Sequence, residues 1–262
     1  MLMLNMLRSA WTWLLTGLLV LIWLPLLAVI RLFDRDPVRY RTGRWFRRVG
    51  LMMTKVNPFW TIIHEGVYPE NPRHPYVVVS NHQSLADIPV VSRLPWEMKW
   101  VGKVELFETP WTGWMMKLAG DIAVDRGDRA SGAKALIAAK RYLEQRCSVI
   151  FFAEGTRSKD GRLNAFNDGA FRLAIKAGVP ILPVVLDGTS DALPKHSWRF
   201  TPGEIRLTVL PPVSTDGLKA KDTAALREQV RGLMVNQIAT WRGVPPATVD
   251  ATAETSAPAP TE

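Results

Sequence analysis

The hydrophobic pattern of the chain begins with one long apolar stretch. Residues Ser9 to Ile30 read SAWTWLLTGLLVLIWLPLLAVI and include no charged side chain. As an α-helix this stretch would extend roughly 30 Å, about the thickness of the hydrocarbon core of a bilayer. It is longer than the apolar part of a signal peptide and no small-residue cleavage site follows it, so we predict an uncleaved membrane anchor. Because Pro25 can kink a helix, the pattern allows both a helix that crosses the bilayer and one that enters a single leaflet.

A basic segment with helical periodicity follows the anchor. From Arg31 to Lys55 there are eight lysine and arginine residues and two aspartates. This flank predicts that the remainder of the chain lies in the cytoplasm. Asp36 and Pro37 resemble the N-cap and first-turn positions of a helix. One apolar stripe and arginines elsewhere predict an amphipathic helix at the membrane surface, bound to anionic headgroups. The stripe comprises Val38, Trp45, Val49, Met52, Met53 and Val56.

Short apolar runs then alternate with helical patterns as far as Trp241. We predict strands at 60–65, 76–80, 98–102, 121–124, 148–153, 181–186 and 204–210, and helices at 84–92, 111–118, 129–146, 168–177 and 222–241. The runs YVVV, VIFFA and ILPVVL are typical of central strands covered on both faces, whereas EIRLTVL alternates and suits an edge. The predicted fold class is α/β, with a mixed, largely parallel sheet of about seven strands flanked by helices.

These patterns divide the chain into three parts. We predict a membrane anchor and interfacial helix over residues 1–57, an α/β domain over residues 58–242 and a disordered tail over residues 243–262. The tail, GVPPATVDATAETSAPAPTE, is rich in Ala, Pro and Thr and lacks a periodic apolar face.

Charge and composition restrict the partners of the protein. The formal net charge of +9 favours an anionic partner, and the 11 tryptophans favour a membrane interface. We therefore expect membrane lipids as partners and no nucleic acid. The four histidines are widely spaced, so we expect no metal site. The single cysteine, Cys147, precedes an apolar run and is expected to be a packed core residue.

Candidate acid–base chemistry lies in the stretch SNHQSLAD. His82 and Asp87 on one helix would be about 140° apart around its axis, too far to touch. They can touch if His82 occupies the turn after a strand and the helix begins near Ser84, a good N-cap residue. Asp87 would then orient one ring nitrogen and leave the other free as a base. The alternative is a histidine that only caps the turn.

Two further strand ends carry arginine. Glu154, Gly155, Thr156 and Arg157 follow the run VIFFA, and Arg126 follows GDIAVD. The guanidinium of Arg157 can bind a phosphate with two hydrogen bonds, assisted by hydroxyl and backbone donors. The alternative is an ion pair with Glu154 that closes the loop. Together the three strand ends predict a site that deprotonates a molecule carrying a phosphate.

Four ordered blocks of sequence resemble a known family. They are N-H-x-S-x-x-D at Asn81 to Asp87, G-x-I-x-V-D-R at Gly120 to Arg126, F-x-E-G-T-R-S at Phe152 to Ser158 and V-P-I-L-P-V at Val179 to Val184. These blocks, together with the linker KVELFETPWTGWMMKLAG that begins at Lys103, are similar to those of glycerolipid acyltransferases, above all the 1-acylglycerol-3-phosphate (lysophosphatidic acid) acyltransferases.

The resemblance implies transfer of a fatty acyl group to lysophosphatidic acid, giving phosphatidic acid. It implies His82 as general base, Asp87 as the residue that orients it, and the turn from Glu154 to Arg157, with Arg126 and Lys103, as substrate-binding residues. The acyl donor would be a thioester of coenzyme A or of acyl carrier protein, and no cofactor is implied. Ala153 replaces a proline common in the family.

Several alternatives remain open at the level of sequence. Asn167 and Asp168 occupy positions where the family usually has a lysine, so the acceptor could be another lysolipid, such as lyso-ornithine lipid or a lysophospholipid. A serine hydrolase using Ser84 would be expected to carry a G-x-S-x-G turn, which the sequence lacks. A non-catalytic membrane-surface protein would explain the charge and the tryptophans but not the four motif blocks.

Overall fold

The computed structural model describes residues 2–253 of the chain. The helices are α1 (Leu2–Phe33), α2 (Tyr40–Lys55), α3 (Asp87–Val91), α4 (Val104–Glu108), α5 (Thr112–Ala119), α6 (Arg129–Glu144), α7 (Gly169–Ala177), α8 (Thr189–Ala192), α9 (Thr223–Arg242) and α10 (Pro246–Val249). The strands are β1 (Trp60–Gly66), β2 (Val77–Ser80), β3 (Met98–Lys103), β4 (Ile122–Val124), β5 (Ser148–Phe152), β6 (Ile181–Asp187) and β7 (Gly203–Val209).

The seven strands form one sheet in the order β1-β7-β6-β2-β5-β3-β4. Every neighbouring pair is parallel except β6 and β7. The prediction of a mixed, largely parallel sheet is confirmed, and so is the central position of β2, β5 and β6. The edge position predicted for β7 is wrong, because β1 pairs alongside it. Its alternation arises because Ile205, Leu207 and Val209 are buried on one face, while Glu204 and Arg206 form an ion pair on the other.

Hydrophobic cores lie on both faces of the sheet. Val77 and Val79 of β2 pack into the core beneath α6, α7 and α9, whereas Val78 packs into the core beneath α3. Successive side chains of a strand point to opposite faces, so the uninterrupted valine run follows from burial of both faces. The carboxyl ends of β2, β5 and β4 lie at one edge of this layered structure, and the loops that follow them carry the candidate chemistry.

Helix α2 differs from its prediction in both its start and its environment. Asp36 does not cap it, because the Asp36 carboxylate accepts the backbone N–H of Val38 in a separate turn and the helix begins only at Tyr40. The helix packs between α1 and the α/β domain. Arg47 is buried and forms ion pairs with Asp121 and Glu97. At least this arginine therefore binds protein carboxylates and not lipid headgroups.

Helix α1 is the membrane candidate, and it contacts the rest of the protein at two separate levels. Its segment Met3–Phe33 is long and apolar enough to cross a membrane, with a mean hydropathy of 2.5 and only 11% of the most apolar window buried. Near its start, the Ser9 hydroxyl accepts the Phe200 N–H at 2.9 Å. Near its end, Leu27 is fully buried against α2 and α5. The apolar helix thus lies along the domain over most of its length.

The predicted disordered tail begins too early. Residues 243–253 are ordered: Val249 is fully buried, the Leu163 N–H donates to its carbonyl at 2.8 Å, and Asp250 forms an ion pair with Arg231. The sequence pattern missed this segment because a few separate contacts hold it, among them two apolar side chains, backbone hydrogen bonds to Leu163 and an ion pair, and such contacts produce no periodicity. The remainder of the predicted tail lies outside the described residues.

Candidate active site

His82 and Asp87 lie together at the end of β2. The imidazole Nδ1 is 2.6 Å from the Asp87 carboxylate oxygen Oδ2. His82 occupies the turn after the strand, and Asp87 is the first residue of α3, so its side chain points back toward the ring. Asp87 is fully buried and the His82 side chain is 13% exposed. The geometry expected from the sequence, a turn followed by a helix, is the one observed.

The surroundings of the pair determine which ring nitrogen is free. Asp87 Oδ2 also accepts the backbone N–H groups of Gln83 at 2.7 Å and Ser84 at 3.0 Å. The same oxygen can accept a third hydrogen bond from a proton-bearing Nδ1, which leaves Nε2 as the unprotonated nitrogen of a neutral ring. The ring is stacked on Phe152 with 4.1 Å between centroids. Within residues 2–253 no hydrogen bond is made to His82 Nε2, so this nitrogen is available to a substrate.

Ser84 has a structural role in the same turn. Its hydroxyl donates to the carbonyl of Leu193 at 2.5 Å and accepts the N–H of Ala86 at 3.1 Å. The predicted helix start at Ser84 is three residues early, because the amides of Asp87 and Ile88 first form i→i+3 hydrogen bonds. Ser84 is fully buried, and a hydroxyl bonded in this way is not available as a nucleophile.

Glu154 connects the turn after β5 to the turn after β2. Its Oε1 accepts the backbone N–H of His82 at 2.8 Å, and its Oε2 accepts the Asn164 backbone and side-chain N–H groups at 3.0 and 2.7 Å. Burial raises the pKa of Glu154, and these hydrogen bonds oppose that rise. A second link runs from the Ser158 N–H to the His82 carbonyl at 2.8 Å. Both carboxylate oxygens of Glu154 therefore accept hydrogen bonds from protein N–H groups, whereas the sequence predicted that Glu154 binds substrate.

Gly155 occupies a position that other residues would strain. Its φ is 72°, and a Cβ atom there would lie 2.7 Å from the side-chain amide nitrogen of Asn167. Asn167 itself donates to the Ala153 carbonyl at 3.0 Å. The Arg126 guanidinium, from the loop after β4, donates to the Gly155 carbonyl, and burial lowers the pKa of Arg126. Asn167, which replaces the lysine usual in the resembling family, thus supports this turn.

The side chains of Thr156 and Arg157 complete the turn. Within the described part of the chain, neither the Arg157 guanidinium nor the Thr156 hydroxyl forms a hydrogen bond or ion pair. The alternative ion pair between Arg157 and Glu154 is not among the contacts of those residues. Lys195 approaches from another loop, with its Nζ 3.4 Å from the Arg157 carbonyl. The free guanidinium and hydroxyl are chemically suited to an anionic group.

Lys103 lies apart from this turn. It ends β3 beside Val124 of β4, and its ammonium forms an ion pair with Glu105 at 2.6 Å. The side chain is half-exposed. Lys103 therefore lies beside the carboxyl end of β4, and its charge is paired with Glu105.

A cleft of about 670 Å³ adjoins the turn that carries Arg157. Its lining is mainly apolar but also includes Arg126, Thr156 and the acidic residues Asp125, Asp128 and Glu154. The apolar lining includes Val101, Val124, Leu136, Phe151, Phe152 and Ala170. Phe152 also stacks on His82, so this side chain contacts both the cleft and the imidazole.

Several residues of the site were not singled out from the sequence. Asn81 bridges to β6, since its side chain donates to the Leu186 carbonyl at 2.9 Å and accepts the Leu186 N–H at 2.8 Å. Asn164 binds Glu154, and Lys195 approaches Arg157. The position of Asn81 directly before His82 was a usable signal. Asn164 and Lys195 come from distant loops, and no local pattern indicates them.

Comparison with known proteins places this geometry in a family. The family described as Acyltransferase matches residues 62–187. The 1-acyl-sn-glycerol-3-phosphate acyltransferases alpha of Ovis aries and Homo sapiens are each 37% identical over 219 residues, which is 81% of this chain and 75% and 76% of theirs. The crystal structure of the 1-acyl-sn-glycerophosphate (LPA) acyltransferase of Thermotoga maritima aligns with a TM-score of 0.77 and 26% identity, over 92% of this chain and 97% of that one.

The relatives and the fold agree with the blocks of sequence noted at the outset. The similarity to these relatives extends over most of the chain. The match to the family at residues 62–187 includes the loops that carry His82, Asp87 and the turn from Glu154 to Arg157. The chain belongs to the 1-acyl-sn-glycerol-3-phosphate acyltransferase family.

Proposed function

We propose that the protein transfers a fatty acyl group from a thioester donor to the free hydroxyl of 1-acyl-sn-glycerol 3-phosphate, giving phosphatidic acid. The observation that carries the proposal is the free Nε2 of His82, on an imidazole whose Nδ1 is bound to the buried carboxylate of Asp87 at 2.6 Å. This arrangement is that of an oriented general base. The relatives are named for this reaction, which supports the same acceptor.

The chemical step follows from the position of the proton acceptor. His82 Nε2 removes the proton of the acceptor hydroxyl as its oxygen attacks the thioester carbonyl carbon. The carbon–sulfur bond then breaks, and the imidazolium returns the proton to the departing thiolate. Asp87 holds the ring in the required tautomer and stabilises its charge. General-base assistance of this kind contributes about 10²–10⁴-fold, and orientation of the two substrates contributes further.

We assign the acceptor phosphate to Arg157. Its guanidinium has no partner among the described residues, and the Thr156 hydroxyl beside it supplies a further donor. Arg126 contributes positive charge while it holds the Gly155 carbonyl. Because the Glu154 carboxylate accepts the backbone N–H of His82, we assign Glu154 a positioning role.

The donor is assigned by its chemistry. A thioester is already activated toward acyl transfer, so neither a cofactor nor a covalent acyl-enzyme is required. Coenzyme A and acyl carrier protein both present such a thioester. The mainly apolar interior of the cleft suits an acyl chain.

We further propose that α1 holds the protein in the cytoplasmic leaflet without crossing the bilayer. The Trp13 indole donates to the Trp198 carbonyl at 2.7 Å, and the Trp23 indole donates to the Trp45 carbonyl at 2.8 Å. Ten residues of helix separate these two levels, about 15 Å along the axis. A helix crossing the membrane would have to release the first contact or draw the domain into the bilayer.

The test of the proposed reaction is an acceptor panel. Membranes containing the protein are supplied with one radiolabelled acyl thioester and, in parallel, lysophosphatidic acid, lyso-ornithine lipid or lysophosphatidylcholine. We expect labelled phosphatidic acid with the first acceptor, and loss of the product in a His82→Ala variant. Acylation of lyso-ornithine lipid but not of lysophosphatidic acid would refute the proposed acceptor. Equal product from the His82→Ala protein would refute the mechanism.

A further inference from the structure

Two exposed tryptophans mark the outer side of α5. Trp111 and Trp114 are 45% and 48% exposed, and their ring centroids are 5.4 Å apart. Leu106 on the adjacent α4 is 45% exposed. Neither tryptophan has a role in the site described above. A cluster of large apolar side chains on a protein surface is typical of contact with a membrane or a partner.

The backbone at Trp111 is strained. Trp111 has φ 65° and ψ −69°, and the Thr112 N–H donates to the Pro110 carbonyl at 2.7 Å. This is a γ-turn of the rare positive-φ type, which is unfavourable for a bulky residue. An unfavourable backbone conformation thus occurs at a residue whose side chain is half-exposed. Strain at such a position suggests a functional role for the side chain.

Helix α5 packs against the apolar helix α1. Met115 and the partly buried Leu118 of α5 belong to the same small core as Leu27 of α1. The neighbouring outer residues of α1 remain open, with Val29 51% exposed and Phe33 72% exposed. The helix that carries Trp114 therefore packs directly against the helix that we place in the membrane.

The charges around the cluster suit the headgroup region. Lys117 is exposed on the last turn of α5, and the Arg39 guanidinium donates to the Lys117 carbonyl at 2.7 Å. Of the nearby carboxylates, Glu105 is bound to Lys103 and Glu108 is exposed. Tryptophan prefers the membrane–water interface, and lysine and arginine are attracted to anionic headgroups.

We propose that Leu106, Trp111 and Trp114 form a second membrane contact, docked at the headgroup level of the same leaflet that holds α1. Two contacts on different helices would fix the rotation of the domain about α1, which a single helix leaves free. This second contact rests on the proposed placement of α1 in the leaflet, but it does not depend on the acyl-transfer reaction.

The test uses a fluorescent label at single positions. The one native cysteine, Cys147, is fully buried, so an environment-sensitive maleimide dye reports an introduced cysteine. The dye is attached in Trp114→Cys, and, as a matched control, in Ile137→Cys, an exposed position on α6 across the sheet. The dye in Val29→Cys on α1 gives the reference spectrum and quenching for a position in lipid. Spectra are recorded only on protein that floats with phosphatidylcholine–phosphatidylglycerol vesicles, with and without doxyl-labelled lipid.

We expect the dye at position 114 to shift to the blue and to be quenched by doxyl lipid severalfold more than the dye at position 137. A water-like, unquenched signal at 114 with a lipid-like signal at 29 would overturn the proposal. A blue-shifted signal that doxyl lipid does not quench would show that another protein surface covers α5, and would also overturn it. Trp111→Gly removes one ring and relieves the γ-turn, so it should reduce quenching at 114 without lowering the melting temperature.

Discussion

Glu154 binds the backbone of His82 and not its ring: Oε1 accepts the His82 N–H at 2.8 Å. The candidate base is therefore positioned from two strands, by Asp87 after β2 and by Glu154 after β5. Because β2 and β5 are neighbours in parallel register, the two turns meet without any long connection. This explains why the two motif blocks, about 70 residues apart in sequence, form one site.

Glu154→Gln tests the backbone link. The amide retains the shape of the side chain but offers one acceptor oxygen where the carboxylate offers two. We expect kcat to fall at least tenfold with little change in either KM, and the unfolding free energy to fall by about 1–3 kcal/mol. Steady-state kinetics for both substrates and denaturant unfolding measure these effects. A selective rise in acceptor KM would instead indicate direct contact with the substrate.

Asp87→Asn tests the orientation of the imidazole. An amide in place of the carboxylate no longer favours a proton on Nδ1, so we expect kcat to fall by orders of magnitude. The buried oxygen also holds the N–H groups of Gln83 and Ser84, and stability should therefore fall as well. Ser84→Ala is the control, since it alters the same turn without touching the ring. Its activity should remain within a few-fold of the parent, and complete loss would revive the serine nucleophile.

Arg157→Lys separates binding from chemistry. Lysine keeps the charge but loses the planar fork that matches a phosphate, so the acceptor KM should rise at least tenfold while the donor KM changes little. Arg172→Lys is a matched control on the exposed surface, where the arginine pairs with Asp168. Equal increases in both KM values, with a lower melting temperature, would show that Arg157 only maintains the loop.

Cys147 provides a pH-dependent prediction. Burial raises the pKa of its thiol from 9.0 to about 12. The unfolded chain therefore loses the thiol proton at lower pH than the folded chain, and the stabilising contribution of the neutral thiol is complete below pH 9.0 and declines between pH 9.0 and about 12. Unfolding free energies of the parent and Cys147→Ala proteins should converge over this range. A constant difference between the two would contradict the prediction.

The topology of α1 can be tested from its two ends. Asn5→Cys and Arg35→Cys place thiols before and after the apolar stretch. If α1 stays in the cytoplasmic leaflet, a membrane-impermeant maleimide should label both positions in inverted vesicles and neither in sealed right-side-out cells. Labelling of position 5 only from outside the cell would show a crossing helix.

Much of the α/β domain was predictable because its strands are buried on both faces and leave continuous apolar runs in the sequence. The pairing of His82 with Asp87 was predictable too, since only a turn followed by a helix lets residues five apart meet at a strand end. The predicted edge position of β7 was wrong because alternation of apolar and polar residues shows only that one face of a strand is exposed. It does not show whether another strand pairs alongside. The role of Asn164 and the order of residues 243–253 depend on contacts between distant loops. Periodicity carries no information about such contacts.

If α1 holds the domain against one leaflet, as proposed above, this attachment also determines how the enzyme meets its lipid substrate. A domain held against one leaflet searches a surface, and a lysolipid in that leaflet reaches it by lateral diffusion. The encounter frequency then follows the mole fraction of acceptor in the membrane and not its amount per volume of solution. Diluting the acceptor with inert phospholipid at constant bulk concentration should therefore slow the reaction, whereas diluting the vesicles with buffer should not.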